Sequence, residues 1–201
     1  MPYDPLFTTM WKQGLSAPMF SLALQRGSGG YIAFGGLPPV QTSSDFASTA
    51  LQEFKGLAGS AFTGQSFYTI TPDALIFPGA ATRQTSQFII DSGTTLNHLP
   101  TNTARAINSL FSPKAVQTDG VWTVACNARA PQFGVRIGGQ PFYINPVDMI
   151  FRDEATGVCV SAIQDGGAAP GPFVLGDQFL NSVVAVFDVG AAQMRFAVHN
   201  Y

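Results

Sequence analysis

Apolar and polar residues alternate over short stretches of this chain, and turn-forming residues interrupt the pattern every few positions. Met19-Phe20-Ser21-Leu22-Ala23-Leu24 reads as a strand, Gly27-Ser28-Gly29-Gly30 as a turn, and Tyr31-Ile32-Ala33-Phe34 as a second strand ending at Gly35-Gly36. That succession predicts a hairpin. Residues 67–70 and 74–77 flank Pro72-Asp73 and give a second strand-turn-strand signal. Residues 40–66 are less regular, and no element is placed across all of them.

One helix is predicted after Pro100. Thr101 stands at its N-cap, Ala104, Ile107, Leu110 and Phe111 share a face, and Pro113 stops the run. Further strands are expected over 121–124, 133–137, 142–144 and 159–163. The tail reads Phe173-Val174-Leu175-Gly176, a short polar turn or helix over 177–181, then strands over 183–187 and 194–198. Roughly a dozen short strands with one or two helices predict an all-β, mostly antiparallel fold. Neither a linker nor an internal repeat divides the sequence, so residues 1–201 are expected to form one domain.

Composition points the same way. The chain carries 21 Gly, 14 Pro and 17 Phe in 201 residues, but only two Glu and three Lys, which are strong helix formers. At 46% hydrophobic it can bury a real core, and its 11% charged fraction compares with about 25% in an average soluble chain, so disorder is excluded. Ten Lys+Arg against twelve Asp+Glu leave no compositional case for a nucleic-acid partner. The longest apolar runs, such as 183–187, are too short for a membrane-spanning helix.

Cys126 and Cys159 are the only cysteines. By spacing they are either two buried thiols or one disulfide closing a loop of about 33 residues, which loop entropy values at roughly 3–4 kcal/mol. A disulfide would imply an oxidising compartment. Met1-Pro2-Tyr3-Asp4 has none of the features of a signal peptide, so the sequence reads as a chain without its natural front end.

His98 and His199 sit at no metal-ligand spacing with each other or with a cysteine. There is no G-x-S-x-G elbow, no Walker loop and no G-x-G-x-x-G. Neither a metal nor a cofactor is expected.

One segment stands out: Phe88-Ile89-Ile90-Asp91-Ser92-Gly93-Thr94-Thr95-Leu96, closing at Leu99-Pro100. An apolar strand delivers an aspartate into a tight turn rich in hydroxyls. Its carboxylate can accept hydrogen bonds from the Gly93 N–H and the Thr94 hydroxyl. Taken alone, such a turn more often satisfies its own backbone amides than it performs chemistry.

The segment resembles the second active-site motif of the pepsin-like aspartic proteases, in which a hydrophobic pair precedes D-[ST]-G-[ST]. Phe173-Val174-Leu175-Gly176-Asp177 looks like that family's hydrophobic-hydrophobic-Gly element, which crosses behind the catalytic loop. Val186-Phe187-Asp188-Val189-Gly190 and Arg195-Phe196-Ala197 are similar to its closing strands. Upstream, Trp11-Lys12-Gln13-Gly14-Leu15, Phe20-Ser21-Leu22 and Phe34-Gly35-Gly36 resemble the opening of the family's C-terminal lobe. The similarity runs in order from near residue 3 to near residue 198 and looks closest to fungal members.

The resemblance implies a pepsin-like lobe and an aspartic endopeptidase acting at acidic pH on polypeptides. Asp91 would be one catalytic carboxylate, supported by Ser92, Gly93 and Thr94. Thr94 and Thr95 would lie along the substrate backbone, Ile89 and Val174 would help line side-chain pockets, and Cys126 and Cys159 fit the lobe's disulfide. Family members are usually secreted or vacuolar. In such enzymes two carboxylates share one proton around a bound water, so that one acts as base and the other as acid. This sequence holds a single D-[ST]-G, is about one lobe long and lacks a counterpart of the N-terminal lobe. Asp91 is therefore expected to have no partner carboxylate in this chain. Its mate would come from a separate N-terminal lobe or from a second copy in a two-fold dimer. The face that meets the partner is expected to expose apolar surface. The alternative is a non-catalytic module on the same scaffold that binds a peptide, carbohydrate or protein.

Overall fold

A computed structural model describes residues 4–27, 29–54, 67–169 and 171–200. The chain begins with helix α1 (Leu6–Lys12) and a hairpin of β1 (Met19–Leu24) and β2 (Gly30–Phe34), followed by β3 (Gln41–Thr42) and β4 (Ala47–Ala50). The middle runs through β5 (Thr69–Ile70), β6 (Ala74–Phe77), β7 (Ala80–Arg83), β8 (Phe88–Ile90) and β9 (Asn97–Leu99) to helix α2 (Thr101–Asn108). Then come β10 (Val116–Thr118), β11 (Val121–Thr123), β12 (Gly134–Ile137), β13 (Gln140–Tyr143) and a 3-10 turn at Pro146–Met149. The last part holds β14 (Ile150–Arg152), β15 (Cys159–Ser161), β16 (Ile163–Asp165), β17 (Phe173–Leu175), α3 (Asp177–Leu180), β18 (Val183–Asp188) and β19 (Gln193–Asn200).

These strands make four sheets. The largest runs β2-β1-β18-β19-β3, with β4 also on β19. Two four-stranded sheets run β10-β11-β15-β14 and β13-β12-β6-β7, and a five-stranded sheet runs β16-β9-β17-β8-β5. Pairing is antiparallel except where β8 meets β17 and β9 meets β16. The fold is thus all-β and mostly antiparallel, as expected. Its core gathers apolar faces from all of these layers, with Phe88, Phe133, Phe173, Phe179 and Phe196 fully buried.

The hairpin of β1 and β2 forms with Phe20 opposite Phe34 and Leu24 opposite Gly30. Within its turn, Ser28 lies outside the described residues, as do 55–66 of the irregular stretch. The second strand-turn-strand signal also forms, but its two strands do not pair with each other. β5 pairs with β8, whereas β6 pairs with β7 and β12, so the Pro72-Asp73 turn hands the chain from one sheet to another. The strand expected over 159–163 is two strands: at Ala162 the chain changes partners, its N–H bonding the Met149 carbonyl beside β14 and its carbonyl accepting the Asn97 N–H of β9.

Helix α2 also departs from expectation. Pro100 occupies the N-cap and Thr101 is the first helical residue; its hydroxyl donates to Asp165 Oδ1 at 2.7 Å. Ala104, Ile107 and Phe111 are buried, but the helix ends at Asn108, which leaves Leu110 exposed. Helix α1 was not anticipated, because its apolar spacing is short; Phe7 packs edge-on to Phe20 and stacks on Phe34. Cys126 and Cys159 form a disulfide across 33 positions, holding the 124–128 loop against β15. No helix among the described residues is long and apolar enough to cross a membrane.

Candidate active site

The five-stranded sheet positions the D-S-G-T loop. In β8, Phe88 and Ile90 face the core while Ile89 is half-buried on the opposite face. The Asp91 N–H bonds the Leu175 carbonyl at 3.1 Å, extending the parallel pairing of β8 with β17 by one residue. Asp91 leaves the strand end half-buried, and the loop beyond it exposes Ser92, Gly93 and Thr95.

Both carboxylate oxygens of Asp91 are held from within the loop. Oδ1 accepts the Gly93 N–H at 2.9 Å, and Oδ2 accepts the Thr94 hydroxyl at 2.6 Å. A Cβ at position 93 would stand 3.1 Å from Oδ1, so glycine keeps space for that bond. Ile89 and Val174 are register partners on neighbouring strands, both half-buried on one face of the sheet, with His98 opposite Val174 on its other side. The structure therefore brings Ile89, Asp91, Thr94 and Val174 to one end of one sheet. The disulfide belongs to a different sheet and has no part in this arrangement.

Support comes from residues that the sequence pattern does not advertise. Asn97 is fully buried; its Oδ1 accepts the Gly176 N–H at 3.0 Å and its Nδ2 donates to the Ala162 carbonyl at 3.2 Å. Gly176 in turn lies directly against the loop. A Cβ there would strike the Thr94 carbonyl oxygen and stand 2.6 Å from that of Leu96. The next two amides, Asp177 and Gln178, donate to the carbonyls of Thr94 and Thr95 at 2.9 and 3.1 Å.

A second carboxyl group in this chain, that of Asp177, lies close enough to Asp91 to feel its charge. Burial, and to a smaller extent the negative charge of Asp91, together push the Asp177 carboxyl up to about 6. Its Oδ1 is buried and has no hydrogen-bond partner among the described residues, which is the environment that favours a neutral acid. Only its place after Gly176 in the hydrophobic-hydrophobic-Gly element could have flagged it from sequence.

Residues 2–199 match the eukaryotic aspartyl protease family. The chain belongs to that family. Within it, this aspartyl protease chain is 43% identical to a probable aspartic-type endopeptidase of Aspergillus fumigatus, over 97% of this chain and 47% of the relative. It is 30% identical to an aspartic protease of Arthroderma benhamiae, over 98% of this chain and 50% of the relative. It is 29% identical to rhizopuspepsin-4 of Rhizopus niveus, over 98% of this chain and 46% of the relative. The chain thus spans about half the length of the curated relatives it matches.

Proposed function

We propose that Asp91 is one carboxylate of a two-carboxylate peptidase site, and that this chain is the C-terminal lobe of an aspartic endopeptidase. The observation that carries the reading is the state of Asp91: both oxygens are oriented by short bonds, on a half-buried side chain beside an exposed loop. A carboxylate sealed in the core could not meet a substrate. The second carboxylate comes from a separate aspartate-bearing N-terminal lobe or from a second copy of the chain.

In this reading the two acids share one proton. One takes a proton from a bound water as it attacks the peptide carbonyl, and the other protonates the carbonyl oxygen. Ser92, Gly93 and Thr94 fix the loop, Thr94 and Thr95 lie along the substrate backbone, and Ile89 and Val174 line side-chain pockets. An apolar surface favours a partner lobe: Leu6, Leu15, Ile32 and Leu37 are more than half exposed around α1 and the free edge of β2. Polypeptides are the substrates, and the protein acts outside the cell or in a vacuole, where a disulfide persists.

The test is cleavage of a peptide library across acidic to neutral pH, over a range of protein concentrations, with and without an added aspartate-bearing N-terminal lobe. The expected result is no turnover by the monomer. Turnover with an acidic optimum appears on adding the lobe or on self-association, and Asp91→Asn abolishes it. Robust turnover by the monomer alone overturns the proposal.

A further inference from the structure

On the sheet β13-β12-β6-β7, Ala74 of β6 is the register partner of Arg136 on β12 at one side and of Arg83 on β7 at the other. Residues directly opposite in antiparallel pairs project to the same face, so a small side chain is flanked by two guanidinium stems. The two arginine backbones stand two strand spacings apart, roughly 9.5 Å. Both side chains are exposed, and both line one cleft of about 450 Å³ together with Thr71, Asp73 and Gln84.

Charge is scarce in this protein, which has ten basic residues in all. Lys12, Arg26 and Arg195 are committed to Asp4, Asp148 and Asp188. Arg83 and Arg136, by contrast, form no ion pair with another described residue. The one acid in the cleft, Asp73, turns its Oδ2 to the Gly139 N–H at 2.7 Å, in the turn joining β12 and β13. The backbone below is fixed, because the Asp73 N–H bonds the Arg136 carbonyl at 2.8 Å and the Gln84 N–H bonds the Asp73 carbonyl at 3.2 Å.

We propose that this cleft binds a tetrahedral oxyanion, a phosphate or phosphomonoester, between Arg83 and Arg136. A planar carboxylate has two oxygens and is satisfied by one guanidinium fork, whereas a phosphate group presents oxygen edges in several directions and can take two forks at once. Ala74, only 5% exposed, adds no bulk between the two arginine stems. The site lies on a different sheet from Asp91 and does not depend on the peptidase reading.

The test is an amide NMR titration of this chain with inorganic phosphate, a sugar phosphomonoester, and acetate, with chloride holding ionic strength constant. Saturable shifts are expected at Ala74, Arg83 and Arg136 with the phosphates, at least fivefold weaker with acetate. Binding should tighten as pH rises through the second ionisation of the phosphomonoester, near about 6. Arg83→Ala and Arg136→Ala should each weaken binding at least fivefold, while Arg105→Ala, another exposed arginine, should leave it unchanged. Equal affinity for both phosphates identifies a free-anion site, and tighter binding of the ester identifies a phosphorylated sugar; either supports the proposal. Shifts matched by chloride, or by acetate, overturn it, as does phosphate affinity that survives both cleft substitutions.

Discussion

The Asp177 backbone N–H bonds the Thr94 carbonyl at 2.9 Å, which ties Asp177 to the loop whose Gly93 N–H and Thr94 hydroxyl hold the Asp91 carboxylate. The Asp177 carboxyl is raised to about 6 from an ordinary 3.8. A raised acid stabilises the folded chain fully below pH 3.8, and that contribution is lost as pH rises through about 6. Asp177→Asn keeps the backbone bond and removes the ionisation. Relative to the native chain it should gain on the order of 1 kcal/mol above pH 6, discounted for partial exposure, and nothing in strong acid. Urea unfolding at several pH values measures this, and a pH-independent difference would contradict it.

Gly176 touches the same loop through its missing side chain. Its φ is −96°, so any residue tolerates the backbone conformation, and the requirement for glycine is one of space. Gly176→Ala would drive a methyl group into the Thr94 and Leu96 carbonyls, neither of which is the flexible end of a side chain. The expected cost is about 3 kcal/mol or more, the range for severe overpacking. The Asp91 loop should also be displaced, visible as altered amide shifts at Gly93 and Thr94. A variant with native stability and an unshifted loop would show that the contact is relieved cheaply.

Much of this arrangement was legible in the sequence because it rests on local rules. The apolar run Phe88-Ile89-Ile90 predicts a strand ending at Asp91, and the small and hydroxylated residues that follow predict the turn whose bonds now hold the carboxylate. The hairpin of β1 and β2 is equally local. What escaped is set by pairing at long range. Strands β5 and β6 read as strand-turn-strand, but the pattern does not say what each pairs with: Ile70 finds Phe88 and Leu75 finds Val135, burying each in a different sheet. Asn97 reads as an ordinary loop residue until Ala162, just before β16, and Gly176, just after β17, arrive from more than 60 residues away and use its carboxamide. The Asp177 carboxyl is unusual for the same reason: its surroundings are assembled by the fold, not by its neighbours in the chain.

The disulfide permits a prediction about stability alone. Cys159 is buried in β15 and Cys126 lies on an exposed loop, so the bond fastens a surface segment to the sheet. Its loop of 33 positions is worth about 3–4 kcal/mol by chain entropy. The double variant Cys126→Ser, Cys159→Ser should lose about that much in urea unfolding while amide shifts at Gly93 and Thr94 remain native. A coupled change at the Asp91 loop would mean that the two sheets are less independent than their separate ladders indicate.

His199 tilts stability with pH in the opposite direction to Asp177. Burial in β19 lowers its pKa from 6.5, and the nearby Arg26 charge acts in the same direction against hydrogen bonds that favour the imidazolium. Arg26 is itself paired with Asp148 through two short bonds, at 2.8 and 2.7 Å, so the positive charge next to His199 is held in place. A depressed base stabilises the folded chain above about 6.5, and that contribution is lost as pH falls through the folded value. Asp177 loses its contribution as pH rises through about 6, so the two slopes have opposite signs in the native chain. His199→Gln should leave the Asp177 slope, with stability falling as pH rises toward 6. Asp177→Asn should leave the His199 slope, with stability rising instead. The double variant should show neither tilt. Parallel curves for the two single variants would refute the assignment of opposing slopes to these two side chains.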